Sequence, residues 1–245
     1  MTTFKARGLV LREYEAGESD KRIVLLCVGR GRLPVYARGA RKAKSKFLAA
    51  SQMLTYGDYV IADGGRFYSM SQAEVIEGFY SIRRDYDKLC HAQYILEVCE
   101  KTVPDNTPCD NLLKLALKAL QHISGRVAGP EITPGQAVRV FLFRFFLFYG
   151  LAPEMDCCCL CDGKLDSAAL FCDEGMVCRS CQKYKEGKTR IPLSISAQEA
   201  VRHILRSDVS RAFMFRAQAS VLDELEMAAQ LCWFGHFPIT LQSDI

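Results

Sequence analysis

The chain has 245 residues, of which 49% are hydrophobic and 24% are charged, and its formal net charge is +4. This composition is typical of a folded globular protein and excludes disordered, fibrous and collagen-like chains. The longest apolar run, residues 138–151, contains two arginines and is shorter than the roughly 20 residues of a membrane span. Because the N-terminus also lacks the apolar segment of a secretory signal, we expect a cytoplasmic protein that does not enter a membrane.

The positive charge is concentrated at the start of the chain. Residues 1–80 carry thirteen basic and eight acidic side chains, so the remaining residues have a net charge of −1. The densest part is the segment 38–46, where five of nine residues are basic and none is acidic. A run of this kind attracts polyanions.

Residues 1–80 have the pattern of short strands separated by turns. The predicted strands cover residues 4–14, 23–28, 33–37, 56–62 and 67–71. The sequence Asp63-Gly64-Gly65 predicts a hairpin, and Pro34 predicts an edge or a bulge in the third strand. Five strands without a helix predict a small barrel. A five-stranded oligonucleotide-binding barrel (OB-fold) fits the strand number and the charge, although other small barrels fit the strand number equally well.

From about residue 84 the apolar residues recur at helical spacing. Thr133 followed by Pro134 predicts the start of a phenylalanine-rich helix that ends at Gly150, and its five phenylalanines predict a helix packed nearly all round. Ser196-Ala-Gln-Glu199 predicts a capping box at the start of a later helix. The other predicted helices cover residues 87–101, 110–124 and 217–234.

An island rich in cysteine, aspartate and glycine, residues 154–184, interrupts the helical region. It contains two Cys-x-x-Cys knuckles, Cys158 with Cys161 and Cys178 with Cys181, separated by 16 residues. Two such knuckles can close a tetrahedral shell of four thiolates, for which zinc is the favoured ion, and a closed shell has a structural role. A redox-active pair and a metal-free island are the alternatives.

The neighbouring cysteines leave some ambiguity in this assignment. Cys157 or Cys159 could replace Cys158 only with a different spacer, and Cys172 is expected to fill a hairpin strand near the site. The remaining thiols lie singly among apolar neighbours and are expected to be small buried hydrophobic residues. They are Cys27, Cys90, Cys99, Cys109 and Cys232.

The basic segment joins two predicted strands and is a candidate phosphate-binding loop. Its cations can each neutralise a backbone phosphate without reading base identity. They are Arg38, Arg41, Lys42, Lys44 and Lys46. A second possible DNA path runs over cations of the neighbouring strands, which are Arg7, Arg12, Lys21 and Arg22. The aromatic residues available nearby as stacking platforms are Tyr36, Tyr56, Tyr59, Phe67 and Tyr68.

The sequence contains no recognisable catalytic constellation. Phosphate-binding loops, dinucleotide-binding fingerprints, nucleophile elbows and zinc-protease motifs are absent, and the four histidines are dispersed. The sequence therefore favours a binding protein over an enzyme.

Several segments resemble the RecO family of bacterial recombination mediators. In the first part of the chain these are Lys-Ala-Arg-Gly-Leu-Val-Leu at 5–11, Gly-Glu-Ser-Asp-Lys at 17–21, Arg-Gly-Ala-Arg-Lys at 38–42 with Lys-Ser at 44–45, and Ser-Gln-Ala-Glu-Val-Ile-Glu at 71–77. In the second part these are the phenylalanine-rich helix with Gly-Leu-Ala-Pro at 150–153, and the knuckles with Phe171 and Gly175 between them. The match covers essentially the whole chain, and the order and spacing of these segments are specific to the family. One departure is the triple cysteine at 157–159 with Asp162 where the family usually has glycine.

The resemblance implies an α+β multidomain protein that is not an enzyme. It implies a nucleic-acid-binding OB barrel over 1–80, an all-α domain over 81–153 and 185–245, and an inserted four-cysteine zinc module over 154–184. It also implies ATP-independent DNA binding and annealing, contacts with single-strand-binding protein and RecR, and help in loading RecA on coated single strands. A zinc-containing RNA-binding or transcription factor and a thiol redox protein remain the alternatives.

The resemblance further implies that the acidic tail of single-strand-binding protein docks on the helical domain. Arg139 and Arg144 are the only charges in the phenylalanine-rich helix and are therefore the candidate cations. Pairing with nearby acids is the alternative role for both.

Overall fold

The computed structural model describes residues 2–127, 129–184, 189–237, 239 and 241. The chain forms two compact units, of which one comprises Met1–Ser124 with Leu241–Ile245 and the other comprises Gly125–Thr240. Residues 81–124 pack in the same unit as the N-terminal strands. The domain bounds inferred from the sequence remain a prediction.

The first unit contains a closed barrel of five strands in the order β1-β2-β3-β5-β4. Strand β3 pairs with β5 in parallel, and the other neighbouring strands are antiparallel. The chain therefore has the predicted OB-type barrel followed by helices. The strands are β1 (Thr2–Ala16), β2 (Asp20–Cys27), β3 (Gly31–Ala37), β4 (Tyr56–Asp63) and β5 (Tyr68–Glu77).

A bulge in the long strand β1 allows the barrel to close. Residues Thr2 to Leu9 pair with β4, whereas residues from Gly8 onward pair with β2, and the register shifts between Val10 and Arg12. A bulge bends its strand, which lets one strand belong to both edges of the closing sheet. Pro34 is in register with Val24 of β2 but lies outside the pairing with β5, so no bulge is present there and the missing N–H is not needed on the β5 side.

Helices of the first unit cover one side of this barrel. They are α1 (Tyr80–Arg83), α2 (Tyr86–Thr102) and α3 (Asp110–Ser124). The Asp110 carboxylate accepts a hydrogen bond from the Gly29 N–H at 2.6 Å, and Arg32 pairs with Asp105 at 2.6 Å. Gly31 lies against the Thr107 backbone at a φ of 67°, where a Cβ atom would come within 1.8 Å of the carbonyl oxygen. Glycine is therefore required at this contact.

The second unit consists of helices and a small hairpin. They are α4 (Pro134–Phe148), β6 (Leu170–Cys172), β7 (Gly175–Val177), α5 (Ile195–Arg206) and α6 (Ala219–His236), with 3₁₀ helices at Arg179–Cys181 and Arg211–Phe213. The Thr133 side chain accepts a hydrogen bond from the Gln136 N–H, which confirms the predicted start of α4. Four of the five phenylalanines in α4 are fully buried. Within the described residues, no helix is both long and apolar enough to cross a membrane.

The predicted capping box of α5 is wrong. Ser194 is the N-cap residue, and its side chain accepts a hydrogen bond from the Ala197 N–H at 3.2 Å, so Ser196 lies inside the helix. The Ser194 N–H donates to the Glu224 carboxylate of α6 at 2.6 Å. The local sequence does not reveal this long-range contact.

Candidate metal centre and nucleic-acid interface

The four cysteines of the two knuckles converge in the second unit. The Sγ atoms of Cys158, Cys161, Cys178 and Cys181 all lie within 4.8 Å of one another, and the Cys161 and Cys178 sulfurs are 3.9 Å apart. Four thiolates at about 2.3 Å from one zinc ion are separated by about 3.8 Å in a tetrahedron. The four cysteines can therefore hold a metal ion.

The backbone of the knuckles directs its N–H groups at a cysteine sulfur. The Cys178 N–H donates to the Cys158 Sγ at 3.4 Å. Burial raises the pKa of Cys158, but hydrogen bonds from the backbone N–H groups of Cys178, Leu160 and Cys161 outweigh it and lower the pKa to about 6. A thiolate, which is the form that binds a metal, is thus favoured at this position.

Asp162 has the left-handed conformation that the knuckle requires, with a φ of 56°. Its N–H donates to the Cys158 carbonyl at 2.8 Å and closes the turn. Aspartate tolerates this conformation better than most residues other than glycine. The departure from the family's usual glycine is therefore compatible with the knuckle.

The other cysteines of the island lie outside this group. The Cys159 and Cys172 sulfurs are 3.9 Å from each other, and Cys172 is in β6 as predicted. Burial raises the pKa of Cys159 to about 12, which keeps this thiol protonated. Cys157 is half-buried beside the first knuckle. Cys158 is thus the member of the triple cysteine whose sulfur joins the cluster.

The basic loop connects β3 to β4 and is held at its base by the turn between β1 and β2. The Asp20 carboxylate accepts a hydrogen bond from the Gly39 N–H at 2.7 Å, and this bond lowers the pKa of Asp20. The Ser19 carbonyl accepts from the Arg41 N–H at 2.9 Å. The position of Asp20 beside a Gly-containing turn is typical of a carboxylate that binds backbone N–H groups, and this is the one sequence signal for its role.

The five basic residues of this loop are all exposed, but they differ in their contacts. The Arg41 guanidinium pairs with Glu15 at 3.0 Å and donates to the Gly17 carbonyl at 3.0 Å. The Lys46 ammonium donates to the Ser71 carbonyl at 3.1 Å. Among the described residues, no side-chain hydrogen bond or ion pair engages the remaining three cations. These are Arg38, Lys42 and Lys44.

Two further predicted DNA-binding cations, Lys21 and Arg22, lie near this loop. Of these two, only Arg22 is exposed and forms no ion pair with the described residues. Arg22 is exposed, with its guanidinium carbon 4.8 Å from the centre of the Tyr14 ring. Lys21 forms an ion pair with Glu13, and only 16% of its side chain is exposed. These contacts leave Arg22 more accessible to a ligand than Lys21.

Arg7 occupies a different part of the barrel surface. It forms two hydrogen bonds with Asp58 at 2.7 and 2.8 Å and lines a cleft of about 710 Å³ together with Lys5 and Glu74. Along β1 it is seven residues from Tyr14, or about 23 Å. Arg12 also pairs with an acid, since it lies 3.2 Å from Glu100. A role of Arg7 in DNA binding remains a prediction.

The predicted aromatic platforms divide into inward and outward side chains. Tyr59 is 1% exposed and donates its hydroxyl hydrogen to the Ala50 carbonyl, and Tyr68 packs against the barrel core. Tyr59 is therefore a core residue and not a stacking platform. Tyr36 and Phe67 lie on the outer surface, where their ring centroids are 5.4 Å apart.

Arg139 and Arg144 both have partners within the second unit. Arg139 of α4 pairs with Glu226 of α6. Arg144 is 7% exposed, and its Nη1 donates to the carbonyls of Leu205 at 3.1 Å and Ser207 at 2.7 Å. These carbonyls belong to the C-terminal end of α5, where helix carbonyls lack intrahelical partners. A contact of either arginine with a partner's tail remains a prediction.

Replacing Arg144 with methionine is expected to lower the free energy of unfolding of the second unit by about 2 kcal/mol, because the change leaves partly buried carbonyls without a donor. The fluorescence of Trp233, the only tryptophan of the chain and 2% exposed in this unit, can follow urea unfolding. Arg139→Met should have a smaller effect, since its carboxylate partner is 33% exposed and can be hydrated. An unchanged unfolding midpoint for Arg144→Met would contradict this role.

Comparison with known proteins places the chain in one family over nearly its whole length. The family model "Recombination protein O N terminal" matches residues 1–79, and "Recombination protein O C terminal" matches residues 83–233. The chain is 32% identical to the DNA repair protein RecO of Acetivibrio thermocellus, over 94% of this chain and 90% of the relative. It is 30% identical to that of Bacillus pumilus, over 84% of this chain and 78% of the relative. The chain therefore belongs to the RecO family of DNA repair proteins.

Proposed function

We propose that this member of the RecO family is a non-catalytic mediator of homologous recombination that binds single- and double-stranded DNA and anneals complementary strands. The observation that carries the proposal is the exposed cluster of Arg38, Lys42 and Lys44 on the loop of an OB barrel, which forms no ion pairs with the described residues. Cations of this kind bind phosphates of any sequence. Annealing requires such sequence-independent binding, because the strands themselves supply the base recognition.

We infer that the metal of the cysteine cluster is one structural zinc ion per chain. Zinc has no redox activity and prefers four thiolates in a tetrahedron. The ligands are Cys158, Cys161, Cys178 and Cys181, whose sulfurs are close enough to share one ion. Since these ligands would complete the coordination shell, the ion would hold the island together without taking part in a reaction.

The proposed partners are single-strand-binding protein and RecR. Together with them the chain would help to load RecA on coated single strands. The proposed location is the cytoplasm, at the nucleoid. Membership of a family of DNA repair proteins supports this assignment. Arg139 is the better placed of the two cations predicted to meet the tail of single-strand-binding protein, since Arg144 is almost fully buried.

The test of this function is annealing of complementary DNA strands coated with cognate single-strand-binding protein. The chain should accelerate annealing in the absence of ATP, since the proposed mechanism consists of binding alone. Fluorescence energy transfer between end-labelled strands measures the rate. A rate equal to that of the coated strands alone, or a requirement for ATP hydrolysis, would refute the proposed function.

A further inference from the structure

A row of large side chains crosses the outer face of the barrel beside the basic loop. Tyr14 of β1 is the register partner of Arg22 of β2, and Arg22 is the register partner of Tyr36 of β3. Tyr36 in turn is next to Phe67, the residue that precedes β5. We call these four residues the aromatic row.

The side chains of the aromatic row do not belong to the barrel core. In β3 the core residues are Leu33, Val35 and Ala37, so the side chain of Tyr36 is on the opposite face. Phe67 is 54% exposed at the end of the β4–β5 hairpin. The Phe67 ring is therefore accessible to a ligand.

Two rings of the row contact each other, and cations lie beside two of its rings. The Tyr36 and Phe67 rings meet edge to face, with centroids 5.4 Å apart and an interplanar angle of 78°. The guanidinium carbon of Arg66 is 5.3 Å from the centre of the Phe67 ring, and that of Arg22 is 4.8 Å from the centre of the Tyr14 ring. An edge-to-face pair buries only part of each ring, so ring surface remains available to a planar ligand.

The cations near the rings favour a polyanion as the ligand, and the rings favour one with exposed planar groups. Tyr36 is two residues before Arg38, the first cation of the basic loop, so rings and phosphate-binding cations are adjacent. The cleft around Arg7 differs, because it contains Asp58 and Glu74 beside its cations. In duplex DNA the bases are stacked inside the helix, whereas a single strand exposes them for stacking on protein rings.

We propose that Tyr36 and Phe67 form a base-stacking platform for single-stranded DNA, with Arg22 and the basic loop binding the adjacent phosphates. This inference rests on the proposed function and adds to it the residues that distinguish single strands from duplexes. The loop cations attract both forms of DNA, and the platform adds affinity only for the single strand. A mediator with this surface would hold the bases of one strand until the complementary strand displaces them.

The double variant Tyr36→Ala, Phe67→Ala tests the platform by binding of labelled oligo(dT) and of a duplex of equal length. Loss of each ring should weaken single-strand binding about 10-fold, as alanine substitutions at stacking residues do. Duplex binding should change less than about 2-fold, and the salt dependence of both should stay parallel to that of the wild type, because no charge is removed. Tyr86→Ala, which removes a tyrosine that is 84% exposed on α2, is the matched control.

A second variant separates stacking from a merely structural role of the rings. Phe67→Trp should retain single-strand affinity, and its indole fluorescence should be quenched by oligo(dT) but not by the duplex. The wild type serves as the reference, since its single tryptophan, Trp233, is buried. Equal losses for single strand and duplex in the double variant, or no quenching in Phe67→Trp, would overturn the platform. A wild-type chain that binds neither DNA form would instead refute the proposed function.

Discussion

Replacing Cys158 and Cys178 with serine is expected to remove the metal and to unfold the cysteine island. The buried apolar cluster around the site consists largely of three of the ligand cysteines, with Cys172 and Val177 beside them. So small an apolar cluster stabilises little without the ion. Zinc binding in comparable Cys-rich modules contributes about 10 to 16 kcal/mol at neutral pH, and this binding energy is also folding energy.

Metal analysis and limited proteolysis measure this effect. The wild type should contain one zinc per chain and resist cleavage between residues 154 and 184, and a strong chelator should make it as sensitive as the double variant. Cys157→Ser is the matched control, because Cys157 is half-buried next to the first knuckle but outside the cluster of four sulfurs. Full zinc occupancy in the double variant would contradict the ligand assignment.

Reversing the charge of the basic loop with Arg38→Glu, Lys42→Glu and Lys44→Glu should strongly lower the affinity for both single-stranded and duplex DNA. Each phosphate neutralised on a single strand contributes about −0.7 to the slope of log affinity against log salt. Three engaged cations therefore contribute about −2, which corresponds to an affinity loss of about 100-fold at 0.1 M salt. The three residues are chosen because the described residues offer them no ion pair, whereas Arg41 is bound to Glu15.

A salt titration of fluorescent oligonucleotide binding measures both the affinity and the slope. A control with the same change in net charge is Arg84→Glu, Lys114→Glu and Lys118→Glu, on and beside the helices of the first unit. The thermal unfolding temperature and the zinc content of the loop variant should stay near those of the wild type, because exposed charges stabilise a fold little. Equal losses in the two triple variants would show that net charge and not the loop accounts for the binding.

The sequence by itself predicted the features that depend on local spacing. Short apolar runs and turn residues predicted the five strands, helical periodicity and Thr133 predicted α4, and two Cys-x-x-Cys spacings predicted the cysteine cluster. The strands and α4 each depend on residues that are neighbours in the chain. The cysteine cluster depends on one short motif, Cys-x-x-Cys, that occurs twice. Spacing along the chain is therefore enough to predict the element or the knuckle.

Only the tertiary structure decided which predicted residues are available to a ligand. Arg7 pairs with Asp58, 51 residues away, and the buried Arg144 donates to the Ser207 carbonyl, 63 residues away. The N-cap of α5 is Ser194, whose N–H donates to Glu224, 30 residues further on. Partners at such separations leave no periodic signal in the sequence. A charge run therefore predicts that a surface is basic, whereas the fold determines which of its cations are paired and which can bind a phosphate.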